Sequence, residues 1–338
     1  MDIHALAAYA PGESLRPFEY ETGPIGGHDC LLRVLACGLC HSDIHVVDND
    51  WGGPTYPMVP GHEAVGMVVE AGPLVTHLKI GDRVGVGWQS GACLHCPDCQ
   101  RGNTQMCEVD QRATIIQQYG GFGDHLAVDS RFAFPIPKGI PTEAAGPLLC
   151  AGITVYSGLR HAGMKGGQEI GVIGIGGLGH LAVQFAAKLG NRVTVFTSSP
   201  DKADFAAHLG ASEAVVTGPG GGLPRKPSRS LDIIIDTVAA DKDYNAYLNC
   251  LASDGVFNLV GVPNEPISLS VFAFQEKRRR IMGSPIGSPA EIIEMLALAE
   301  RQSIAPLVET FPFERANEAI QRVRDNRVRY RAVLTMQP

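Results

Sequence analysis

The sequence predicts an α/β protein of two domains, one β-rich and one built on a doubly wound, mostly parallel sheet. Three observations carry this. Residues 1 to 148 are punctuated by Gly and Pro and hold no long amphipathic helix. From Glu169 onward, short apolar runs alternate with helical patterns. Between the first of those runs and its helix stands "GIGGLG", Gly174 to Gly179. A chain of 338 residues, 45% of them hydrophobic, is long enough to bury two cores.

In the first part, "CLLRVLACG" (30–38), "AVGMVVEAG" (64–72) and "DRVGVGW" (82–88) read as strands. The second domain is placed at 149–286. Its first strand, "EIGVI", leads through the glycine cluster into a helix with apolar residues at Leu178, Leu181, Ala182, Phe185 and Leu189. "RVTVF" is the next strand. A helix then starts with Ser199 as N-cap and Pro200 at its first position, and Gly210 lies past its end. "EAVV", "LDIIIDTV", a helix near 241–252 and "GVFNLVGV" continue the alternation. The loop "GPGGGLPRKPSRS" (218–230) is flexible by composition and belongs on the surface. The tail holds two helical patterns, "PAEIIEMLALAERQ" and "ERANEAIQRVRDN", and a final strand, "YRAVLTM", able to return to the first domain. The first domain is therefore 1–148 with 287–338.

A net charge of −7 leaves no overall basic field for nucleic acid or an anionic membrane. The one basic run, "KRRR" (277–280), reads as a solvated loop before a strand. The apolar stretch Ile170–Ala187 is long enough for a membrane helix, but its five glycines fit strand–turn–helix better. The N-terminus lacks the features of a signal peptide, which points to the cytoplasm.

The glycine cluster sits between a strand and a helix, the context in which G-x-G-x-x-G binds a dinucleotide pyrophosphate. An NAD site usually carries an acid at the end of the second strand. Here that stretch reads "FTSSPDK", with Thr197, Ser198, Ser199 and Lys202 in place of an acid. Hydroxyls and a cation suit a 2′-phosphate, so NADP(H) is expected.

Nine cysteines, four of them in fifteen residues, argue for metal over disulfides. Cys93, Cys96, Cys99 and Cys107 have the spacing of a structural zinc site, with an iron–sulfur cluster the alternative on spacing alone. His95, inside the run, is a bystander. "GLCHSDIH" (38–45) crowds a thiol, two imidazoles, a hydroxyl and a carboxylate together. A catalytic zinc takes three protein ligands and an open position. Cys40, His62 and Cys150 are candidates, but spacing does not choose them over Cys37.

"GLCHSDIH", "YPMVPGHEAVG" (56–66), the four-cysteine run, "GPLLCAGITVYSGL" (146–159) and "GIGGLGH" occur in this order along essentially the whole chain. Together they resemble the zinc-containing medium-chain alcohol dehydrogenases. The similarity is closest to the cinnamyl-alcohol-dehydrogenase-like branch with its NADPH-dependent aldehyde reductases. The resemblance implies a GroES-like catalytic domain beside a Rossmann domain. It implies two zinc ions per chain: a catalytic one on Cys40, His62 and Cys150, and a structural one on the four-cysteine run. Glu63 is implied as a carboxylate able to approach the metal, Asp43 as the orienter of His62, and Ser42 and His45 as a proton relay. NADP(H) contacts are implied at Thr154, Gly174, Ile175, Gly176, Gly177, Leu178, Gly179, Thr197, Ser198, Ser199, Lys202, Thr237, Gly261, Val262, Ser284 and Ile286. Trp51, Trp88 and Val262 are implied to line an apolar substrate pocket. In plant members an aromatic residue usually stands where this chain has Pro285.

The implied activity is interconversion of primary alcohols and aldehydes, aromatic or aliphatic, by a homodimer in the cytoplasm, with small molecules and no nucleic acid or membrane as partners. Three readings compete. The cysteines argue against a zinc-free quinone reductase. The NADP motif and acidic balance argue against a zinc-ribbon binding module. The relay residues argue against a purely structural role.

Overall fold

The structure, a computed structural model, describes residues 1–263 and 265–336. The chain divides into two compact units. The first break falls after Cys150 and the second after Gly287, so the first unit is Met1–Cys150 joined by the chain from Ser288 on, and the second is Ala151–Gly287.

The first unit opens with β1 (Asp2–Ala7) and β2 (Arg16–Glu21), which pair as an antiparallel hairpin. β3 (Asp29–Leu39) runs into α1 (His41–Val47), followed by β4 (Glu63–Ala71), β5 (Arg83–Val86) and β6 (Gln89–Gly91). A short α2 (Pro97–Gln100), β7 (Arg112–Ala113), β8 (His125–Asp129), β9 (Ala133–Pro135) and α3 (Thr142–Pro147) complete this part. β3 is the spine. Its near-continuous apolar reading suits a strand covered on both faces. Along its length it pairs β4, while β8 takes Asp29–Arg33 and β17 takes Ala36–Leu39 on its other side.

The second unit holds α4 (Ile153–His161), β10 (Glu169–Ile173), α5 (Gly179–Lys188), β11 (Arg192–Thr197), α6 (Pro200–Ala206) and β12 (Glu213–Val216). It continues with β13 (Leu231–Asp236), α7 (Tyr244–Leu248), β14 (Leu251–Leu259), α8 (Val271–Gln275) and β15 (Arg280–Gly283). All six strands are parallel, in the spatial order β12-β11-β10-β13-β14-β15. The order reverses between β10 and β13, the switch point at which such sheets bind ligands. The chain then returns to the first unit as α9 (Pro289–Gln302), β16 (Val308–Pro312), α10 (Ala316–Arg324) and β17 (Arg331–Thr335), the last adding to β3.

Two sequence expectations need correction. The helix near 241–252 is only Tyr244–Leu248, because Leu251 already pairs with Leu231 as the start of β14. "KRRR" is not wholly solvated. Arg279 is buried, its guanidinium donating to the carbonyls of Leu251 at 2.9 Å and Ala273 at 2.9 Å. Among the described residues no helix is long and apolar enough to cross a membrane.

Candidate active site and metal centres

Where β3 ends, Cys40 caps the start of α1, and its amide donates to Asp43 Oδ2 at 2.9 Å. The other Asp43 oxygen accepts the amides of Gly61 and His62 at 2.8 and 3.2 Å and lies 2.9 Å from His62 Nδ1. One carboxylate, 1% exposed, thus ties the cysteine turn to the histidine turn. Gly61 has φ of 104°, and a Cβ there would press on Phe122 and on Cys37 Sγ.

His62 Nε2 lies 3.2 Å from Cys150 Sγ, which is 4.0 Å from Cys40 Sγ. Cys150 sits in a single π-helical turn, Leu148–Gly152, in the helical stretch that α3 begins. Such turns widen a helix by one residue and often occur at functional sites. The ligand atoms of Cys40, His62, Glu63 and Cys150 all lie within 4.8 Å of one another, and all four residues are buried. Cys37 is excluded: its thiol faces the carbonyl of Gly38 at 3.6 Å and does not join the cluster.

Arg331, 4% exposed, reaches the cluster from β17. Its guanidinium pairs with Glu63 Oε1 and lies 4.0 Å from Cys40 Sγ. A hydrogen bond from the Cys150 thiol, joined by the charges of Arg331 and His62, holds Cys40 well below the usual thiol range despite burial. Cys150 is correspondingly held high, as the member of the pair that keeps its proton. Burial raises the Glu63 carboxyl, with Arg331 opposing it. Glu63 Oε2 has no hydrogen-bond partner among the described residues. A thiol held low beside a second one, an oriented imidazole and a carboxylate with an orphan oxygen fit a zinc ion.

The second cysteine cluster lies on the lobe around α2. Cys93 and Cys99 Sγ are 3.9 Å apart and Cys96 and Cys107 Sγ 4.0 Å, too far for disulfides. Backbone amides point at the sulfurs: Cys96 N to Cys93 Sγ at 3.3 Å, and Asp110 N to Cys107 Sγ at 3.4 Å. The amides of Asp110 and Cys93 pull the Cys107 thiol down to about 6. This donor set fits a four-thiolate zinc. His95 is exposed, stands outside the cluster and turns Nδ1 to the carbonyl of Cys93 at 2.7 Å.

Ser42 Oγ lies 3.7 Å from Cys40 Sγ. His45, one turn further along α1, places Nδ1 2.7 Å from Asp50 Oδ2 and stacks on Trp51 at 4.8 Å. Trp51 meets Trp88 edge-on at 6.2 Å, and Trp88 meets His62 edge-on at 5.2 Å. A path of ring contacts therefore runs from the half-buried His45 to the buried His62. His41 is exposed.

In the second unit, Gly174 has φ of 85°, and a Cβ on Gly179 would overlap the carbonyl of Gly174. A Cβ on Gly176 would meet nothing within 4 Å. A tight turn, a close helix–strand packing and a bare backbone facing open space are what a pyrophosphate cradle requires. Thr197 ends β11, its Oγ1 accepting the Ser199 amide at 3.3 Å, and Ser199 caps α6 by accepting the Lys202 amide at 3.4 Å. Ser198 is exposed and Lys202 half-buried at the same strand end. Thr237 Oγ1 donates to the carbonyl of Ile173, beside the turn, at 2.8 Å. Thr154 lies on α4, Gly261 follows β14, Val262 is 68% exposed, and Ser284 and Ile286 follow β15.

Two family models match the chain: an alcohol dehydrogenase GroES-like domain over residues 26–138 and a zinc-binding dehydrogenase domain over 177–301. An aldehyde reductase of Synechocystis sp. is 42% identical, the match covering 98% of each chain. The chain belongs to the zinc-binding alcohol dehydrogenases, in their cinnamyl-alcohol-dehydrogenase-like branch. An NADP-dependent alcohol dehydrogenase of Mycolicibacterium smegmatis is 39% identical over 98% of this chain and 97% of its own. Among solved structures, a cinnamyl alcohol dehydrogenase of Sorghum bicolor matches with a TM-score of 0.93 at 38% identity, covering 99% of this chain and 98% of the other. A Helicobacter pylori relative complexed with NADP(H) matches with a TM-score of 0.90 at 31% identity, covering 99% and 98%. As a member of the alcohol dehydrogenase family, the chain is an oxidoreductase with a GroES-like and a Rossmann domain.

Sequence reasoning missed two residues that this alcohol dehydrogenase site contains, Arg331 and Asp50. A lone arginine inside the apolar strand "YRAVL" is a signal that a buried acid awaits it. Asp50, five residues after His45, lies where a loop closing α1 can bring it back to the ring.

Proposed function

We propose that this chain is a zinc- and NADP(H)-dependent alcohol dehydrogenase and aldehyde reductase of broad range, interconverting primary alcohols and aldehydes, aromatic or aliphatic. The observation that carries the reading is the buried meeting of Cys40, His62, Glu63 and Cys150 beside the Ser42 hydroxyl. The hydroxyl-rich, acid-free end of β11 supports NADP(H), as do the similarity to the NADP-dependent M. smegmatis relative and to the NADP(H)-bound H. pylori structure.

Cys40, His62 and Cys150 would hold a catalytic zinc, and the four cysteines from Cys93 to Cys107 a structural one, two per chain. When bound, the catalytic ion supplies a Lewis acid for a substrate oxygen. NADPH, when bound, supplies the hydride. The chain's own residues do the rest. Asp43 takes the Nδ1 proton of His62 and leaves Nε2 aimed at the two thiols, fixing the ligand's tautomer. Arg331 balances the charge of Glu63 and Cys40 in a dry site. Ser42 is the hydroxyl placed to give a proton to the reduced oxygen, or to take one in the reverse direction. His45 is the relay's outer group, in contact with solvent and held by Asp50. Ser42 and His45 share no direct hydrogen bond among the described residues. Trp51 and Trp88 offer an apolar surface to the organic part of a substrate. By family resemblance the protein acts as a homodimer in the cytoplasm.

The test is an aldehyde panel with NADPH and NADH, run beside metal analysis. Two zinc ions per chain and NADPH-favoured aldehyde reduction are expected. Less than one zinc per chain with activity on quinones would replace this reading with that of a zinc-free quinone reductase.

A further inference from the structure

Lys242 is a buried cation in the second unit. Its side chain is 3% exposed and its ammonium lies 2.7 Å from Asp236 Oδ2, whose side chain is 1% exposed. It also donates to the carbonyl of Val238 at 3.0 Å and sits 4.8 Å from the centre of the Tyr244 ring. A buried ion pair is a weak source of stability, because taking both charges out of water offsets most of their attraction. Its presence here needs another reason.

The surroundings supply one. Asp236 is the last residue of β13. Its Oδ1 accepts the Val238 amide at 3.1 Å, and its carbonyl accepts the amides of Val260 and Gly261 at 3.0 and 2.9 Å. The pair thus closes the segment from 237 to 241 onto itself and onto the end of β14. That segment rests on the glycine turn. The Thr237 amide and hydroxyl both donate to the carbonyl of Ile173, at 3.1 and 2.8 Å. A Cβ on Gly174 would collide with the Val238 side chain, and one on Gly261 would stand 2.7 Å from the Val238 backbone. Val238 is wedged between the ends of β10 and β14, with Lys242 fastening it from beneath.

We propose that the Asp236–Lys242 pair is a positioning device for the nicotinamide half of the dinucleotide, locking Thr237 and Val238 against Gly174 and Gly261. This rests on the reading of the glycine turn as the NADP(H) site. β11, with Thr197 to Lys202, lies on one side of β10, and β13 and β14 lie on the other. A dinucleotide laid across the switch point puts its adenine half over β11 and its nicotinamide half over β13. Lys242 therefore acts on one half of the ligand only.

Calorimetric titration of the full chain with NADPH and with adenosine 2′,5′-bisphosphate, which carries only the adenine half, separates the possibilities. Lys242→Met should weaken NADPH about tenfold while changing the fragment's affinity by less than about twofold. A general loosening of the fold would weaken both ligands equally and overturn the proposal. So would a folded Lys242→Met that binds NADPH as tightly as the parent chain. Should Lys242→Met fail to fold, the neutral double variant Asp236→Asn with Lys242→Met leaves no unpaired charge, and the same two titrations decide with it. If the parent chain binds neither ligand, the reading of the glycine turn fails first, and this inference with it.

Discussion

His45, in the last turn of α1, meets Asp50 at 2.7 Å, Nδ1 to Oδ2. The ring is held on its edge by the carboxylate and on its face by Trp51. Accepting the Nδ1 proton fixes the tautomer and leaves Nε2 as the exchanging nitrogen. Asp50→Ala should therefore lower turnover on the order of tenfold at full zinc content, since a loose relay base is a poorer one. Turnover measured across pH, beside zinc analysis of the same samples, is the check. An unchanged profile would show that His45 needs no such support.

Asp43 makes four contacts on the turns that carry Cys40 and His62, three of them with backbone amides. Asp43→Asn replaces an acceptor oxygen by a donor that cannot serve an amide. Affinity for the catalytic zinc should fall about 10- to 100-fold. The four-cysteine site, which has no contact with Asp43, should keep its metal. Competition with a chelator, resolved into two release steps, measures both.

Lys202 lies in the first turn of α6, beside Asp201 and five residues past the acid-free end of β11. Lys202→Ala should raise KM for NADPH by about tenfold, the scale of one charge-assisted contact, and barely move KM for NADH. Equal effects on the two cofactors would remove Lys202 from the 2′-phosphate site.

The cysteines outside both clusters should be inert. Burial, with the nearby charges of Asp29 and Asp129, pushes the Cys30 thiol up to about 12. Burial likewise pushes Cys250 up to about 11. The thiolate is the nucleophile, and its fraction at pH 8 falls tenfold for each unit that the pKa rises. Alkylation of the native protein at pH 8 followed by peptide mass spectrometry should leave Cys30 and Cys250 unmodified. Rapid labelling of either would mean that its surroundings open.

What was legible in the sequence was local. Cys93 to Cys107 stand out by spacing, and the fold brings their sulfurs together on one stretch of chain. The glycine turn is legible because strand, turn and helix follow one another directly. What was not legible depends on partners far along the chain. Spacing could not separate Cys37 from Cys40, and the fold does so by ending β3 between them. Arg331 finds its acid 268 positions away, across the pairing of β17 with β3. Leu251 looked helical by its neighbours and became a strand because Leu231 was waiting for it. Arg279 looked solvated within a basic run until the carbonyl of Leu251 took it inward.

The pairing of Arg331 with Glu63 has a consequence for how the protein is made. Arg331 leaves the ribosome 291 positions after Cys40, and all of the second unit is synthesised in between. At ordinary elongation rates that interval is about 15 to 60 s. Throughout it, Cys40 and Glu63 are on a nascent chain without their guanidinium, and β3 lacks the edge that β17 will cover. The second unit can fold while it waits. The first unit is completed last, from two pieces of chain, so any stall in translation between them prolongs the time during which an unpaired acid and bare thiols are open to oxidation or capture by other chains.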